Sequence, residues 1–197
     1  MGEDMRSLFV ITTLLLPAGI TRAETLVVGG FEVQWEDGWS LVSKADPIRY
    51  AGPGPTGVTI DLMDHGDLDA AQQKAERQKW SRYASEELPK IAGRHGEIVV
   101  PLKEEKLDSG YALFSVASAK KEGRRDYFGL LFVSVSPEGR LAQFAVEGFG
   151  DARTRFATFH DFMVGGRWKK EPNKSPEAKP GECLPTPPSP STGAPQL

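Results

Sequence analysis

The chain has 197 residues, with 24 Lys and Arg against 27 Asp and Glu, three His and one Cys. A net charge of −3 argues against a nucleic-acid footprint, which usually makes a domain strongly basic. A single Cys excludes an internal disulfide and a zinc site built on several thiolates.

Residues 1–23 read as a secretory signal peptide. An apolar run spans 8–16, Pro17 breaks it, and Thr21-Arg22-Ala23 supplies a small-x-small cleavage site before Glu24. Glu3 and Asp4 spoil a positive leader, and Met5-Arg6-Ser7 restores one, so Met5 is the expected initiator. No Cys stands just after the cleavage site, so the usual bacterial lipid attachment is not expected. No run reaches the roughly 18 to 20 apolar residues a membrane span needs. The expected location is the periplasm or the exterior.

Residues 24–168 should form one globular α+β domain. Alternation over 31–35, a turn at Glu36-Asp37-Gly38 and a resumed strand from Trp39 to Val42 predict a hairpin. A loop at 52–57 follows, then a strand over 58–63. That loop lacks the Gly-Lys-Ser/Thr of a phosphate-binding loop. A helix is predicted over 68–88, with Asp67 as N-cap; Pro89 should end or kink it, and Gly93 is the last possible stop. Trp80, Ala84 and Leu88 recur on its inner face.

Four strands come next, over 97–102, 111–119, 127–135 and 140–147, joined by short turns that imply an antiparallel meander. The segment 127–135 is apolar on both faces, so both should be covered. A closing helix over 152–163, capped by Asp151, presents Phe156, Phe159 and Met163 on one face. The expected architecture is a sheet meander with helices on both faces, a three-layer α-β-α sandwich.

Residues 169–197 hold eight of the 15 prolines and no aromatic side chain. Such a segment cannot offset its ordering entropy and should be disordered, extended where Pro is dense. It contains Cys183, the one thiol.

The element order resembles the PsbP-like family, which includes the Ran-binding Mog proteins and DcrB. Phe31-Glu32-Val33-Gln34-Trp35-Glu36-Asp37-Gly38-Trp39, the long helix before a meander, and the aromatic closing helix carry the likeness. The resemblance implies a binding or accessory protein, usually without catalysis. It transfers no functional residue.

Two clusters invite chemistry. Asp61, Asp64 and His65, beside Asp67 and Asp69, suit a divalent cation or an acid/base pair. Their spacing misses the Ca²⁺-loop pattern, and no Gly-x-Ser-x-Gly supplies a nucleophile. Lys120-Lys121-Glu122-Gly123-Arg124-Arg125 forms a basic hairpin tip suited to anionic headgroups, glycans or an acidic partner. The leading expectation is an exported, non-catalytic binding or accessory protein of the cell envelope, with no cofactor, no nucleic acid, and an unknown protein or envelope component as partner. The alternative is a metal-binding protein or hydrolase centred on Asp61, Asp64 and His65.

Overall fold

The computed structural model describes residues 24–35, 38–45, 47–64 and 66–169. The expected export segment, the expected Pro-rich tail and His65 lie outside the described residues. Strands are β1 (Glu24–Val28), β2 (Phe31–Trp35), β3 (Ser40–Ser43), β4 (Ile48–Ala51) and β5 (Thr56–Met63). Helix α1 (Ala70–His95) precedes β6 (Glu97–Lys106), β7 (Ala112–Glu122), β8 (Arg125–Val135) and β9 (Leu141–Phe149). Helix α2 (Ala152–Val164) and β10 (Arg167–Trp168) close the chain's described part.

Seven strands form one antiparallel sheet in the order β3-β4-β5-β9-β8-β7-β6, and three form a second in the order β1-β2-β10. The interior strand β8 is buried on both faces. Phe128, Leu130 and Phe132 join one core with Phe31, Val33, Phe144 and Phe156. Leu131, Val133 and Val135 join the other with Trp80, Ala84, Leu88 and Phe114. Each such side chain contributes about 1.5–3 kcal/mol by leaving water.

The expected three-layer helix-covered sandwich is corrected here. Among the described residues strands hold 48% and helices 28%, and there are two helices. The small β1-β2-β10 sheet shares the face opposite α1 with a single 13-residue helix. On the other face α1 packs on β6, β7 and β8. A helix layer on each face was the wrong inference because strand segments at both ends of the domain pair with each other: Arg167 sits opposite Glu32 and Trp168 opposite Phe31.

The expected 31–42 hairpin is also replaced. β2 pairs with β1, whereas β3 pairs with β4 in the large sheet. Trp39 stacks on Trp35 with ring centroids 5.1 Å apart, so the chain crosses from sheet to sheet at this aromatic corner.

α1 is longer than its sequence suggests. Asp69, not Asp67, is the N-cap, accepting from the Ala71 and Gln72 amides while Gln72 reaches back to the Asp69 amide. The helix runs through Pro89 to His95. Proline removes one helical hydrogen bond, yet Leu88 and Ala92 on either side of it are fully buried against the sheet. Gly96 ends the helix, where a Cβ would stand 2.4 Å from the Ala119 carbonyl oxygen.

β6 is the long outer strand. It carries Pro101, and its pairing with β7 shifts register twice. The chain's closing turn is fastened by polar contacts. Trp168 Nε1 donates to Ser134 Oγ at 2.8 Å, and Arg140 Nη2 donates to the Lys169 carbonyl at 2.8 Å. The buried Glu32 carboxylate takes Arg167 at 2.8 Å and Lys169 at 2.5 Å.

Candidate functional site

The acidic cluster is dispersed. Asp61 lies mid-strand on β5, half-buried and opposite Gln143 of β9. Tyr83 of α1 reaches the same spot, its phenol 3.4 Å from Gln143 Oε1. Burial pushes the Tyr83 phenol up, and the Glu87 and Asp61 charges add to the rise. Asp64 stands past the strand end, exposed, and accepts the Gly66 amide at 3.1 Å. Asp69 is spent on its helix cap. Among the described residues no three His, Cys, Asp or Glu side chains gather to hold a metal ion.

In the basic tip Lys120 lies 4.6 Å over the Tyr127 ring and pairs with Glu122 at 2.8 Å. Arg125 lies 5.5 Å over Phe149. These cations extend a ladder on the α1 side of the sheet. There Tyr127 donates to Glu147 at 2.7 Å, and His95 Nδ1 stands 3.8 Å from the same carboxylate. Burial and the Glu147 hydrogen bond both push the Tyr127 phenol well up. Lys121 and Lys120 both line a groove beside α2.

That groove has a volume of about 480 Å³. Val99 and Ala119 line it, with Ala152 and Arg153 of α2 and Lys121 and Asp126 of the hairpin. Asp151 is already committed, taking the Thr154 amide at 2.8 Å as the α2 N-cap. Hydrogen bonding to Thr154 holds the Asp151 carboxyl below the usual range.

Pairing places further cations at this end. Glu97 lies opposite Ala119, so the C-terminal turn of α1, with exposed Lys90 and Arg94, stands beside the hairpin. The Gly150 amide donates to the Asp126 carbonyl at 2.9 Å and brings Arg153 and Arg155 to the same end. The opposite end gathers Asp64, Asp67, Asp69, Glu104, Glu105, Asp108 and Glu138, because Met63 and Val135 both pair with Leu141 and Lys106 pairs with Ala112. Each end also carries the opposite charge: Glu97, Glu122, Asp126 and Glu147 near the hairpin, and Lys103, Lys106 and Arg140 at the other end. Sequence reasoning found the Lys120–Arg125 run. It missed Arg153, which meets Lys121 only through folding.

No helix among the described residues is long and apolar enough to cross a membrane. In comparison with known proteins, no family model matches the chain and no curated sequence matches it.

Proposed function

We propose that this is an exported, non-catalytic binding or accessory protein of the cell envelope, working through the basic end of its large sheet. One observation carries the reading: Lys121 and Arg153 border a groove of about 480 Å³ at the end where Arg124, Arg125, Lys90 and Arg94 also collect. Exposed cations of the hairpin and of α2 beside a groove can engage an anionic group of a partner. The apolar run and cleavage pattern of residues 1–23 support export. The likeness of the 31–39 stretch to PsbP-like binding proteins supports a binding role. The partner fitting this surface is an acidic component of the envelope, and Glu97 and Asp126 beside the groove restrict its register.

The test is co-sedimentation of the full chain with envelope membranes at low and high salt. Lys120 and Arg125 cover aromatic rings, so the variant chosen is Lys121→Glu with Arg124→Glu, which leaves those contacts intact. The expected result is a roughly tenfold loss of binding at low salt, corresponding to about 1.4 kcal/mol. Asp64→Asn with Asp67→Asn, at the other end, should bind as the native chain does. Undiminished binding of the charge-reversed variant sinks the proposal.

A further inference from the structure

A second concavity lies at the aromatic corner, away from the basic end. It has a volume of about 230 Å³ and is lined by Thr25, Leu26 and Val27 of β1 with Trp35, Trp39 and Tyr50. Trp35 and Trp39 stack 16° from parallel, and Tyr50 meets Trp35 edge-on at 5.6 Å. The benzo edge of Trp39 is seated on Gly52, where a Cβ would stand 2.5 Å from Cη2. Two exposed aliphatic side chains flank the cleft: Val27 at 51% exposure, and Leu41 at 41%, which pairs across from Tyr50.

Its polar features are donors and a free strand edge. The Trp39 indole N–H is buried without a hydrogen-bond acceptor among the described residues. β1 is an outer strand of the three-stranded sheet, so among the described residues one side of its backbone has no strand partner. Rigid aromatic walls beside indole and amide donors favour an extended segment rich in proline. Such a segment makes no internal hydrogen bonds, offers its carbonyls as acceptors, and loses little entropy on docking.

This chain carries such a segment: Leu184-Pro185-Thr186-Pro187-Pro188-Ser189-Pro190. We propose that the Trp35–Trp39–Tyr50 cleft docks this proline-dense stretch of the same molecule. Reach permits it. The Lys169 amide donates to the Gly30 carbonyl at 2.7 Å, so the chain leaves the domain at the start of β2. The cleft lies at the other end of that five-residue strand, about 17 Å away at the usual rise. Residues 170–183 can span at most about 45–50 Å. Tethering holds the segment near the cleft at an effective concentration on the order of millimolar, so even a weak contact is populated.

The experiment follows the four indole N–H signals of the full chain by NMR, assigned by single Trp→Phe changes. Pro187→Gly with Pro188→Gly should shift the Trp35 and Trp39 signals and leave those of Trp80 and Trp168 in place. Adding a synthetic peptide of residues 184–190 at millimolar concentration to this variant should return both signals toward their native positions. Four coincident signals in the native and variant chains overturn the proposal. So does a failure of the peptide to move Trp35 and Trp39. A native-chain shift that varies with protein concentration also overturns it, because the segment would then be docking on another copy.

Discussion

Glu32 shows how one buried carboxylate is made tolerable. It alternates outward on β2 yet is nearly enclosed, and Arg167 and Lys169 supply two cations to it. Hydrogen bonds from Lys169 and then Arg167 hold its carboxyl below the usual 4.5, against the opposing effect of desolvation. A carboxyl whose folded pKa is depressed adds stability that is full above its unfolded value. That stability is lost as pH falls through the lower folded value. The native chain should therefore lose stability below about pH 4.5, and Glu32→Gln should remove that part of the slope. Denaturant midpoints measured from pH 6 to pH 3 check this; parallel curves for the two proteins contradict it.

Single elements show where local pattern and tertiary packing part company. The strands from 112 to 149 were legible because β-branched and aromatic residues alternate between Gly-containing turns. β1 and β10 were not. Five and two residues carry little periodicity; β1 pairs with the neighbouring β2 across Gly29-Gly30, whereas β10 finds the same strand from far along the chain. Pro89 misled for a related reason: propensity speaks of an isolated helix, whereas Leu88 and Ala92 anchor this one on the sheet. The candidate site was half legible. The charge run was plain, but Arg153 joins it only through folding, at the Gly150–Asp126 contact. Two glycines near the end of α1 give a sharp check. Nothing stands within 4 Å of a Cβ at Gly93, so Gly93→Ala should stabilise by about 0.5–1 kcal/mol. Gly96→Ala meets the Ala119 carbonyl and should destabilise. Urea unfolding of the two variants decides; equal effects contradict the argument.

For the molecule as a whole, stability is graded from the middle of the large sheet outward. β8 has strands on both sides and cores on both faces, whereas β3 is an outer strand with Val42 65% exposed. Amide exchange should be slowest in β8 and fastest in β3, with β1 and β10 between them. Mass spectrometry of exchanging peptides measures the order, and early exchange of β8 would contradict a shared core.

The broken outline of β6 bears on crowding. Pro101 withholds an amide, the two shifts of register bend the row of remaining donors, and Lys103, Glu104, Glu105 and Lys106 crowd the strand's last turns with charge. A neighbouring chain finds no straight template there on which to lay a strand. The long margin of this sheet is thereby guarded against fibril growth, and among the described residues its other margin is the four-residue β3.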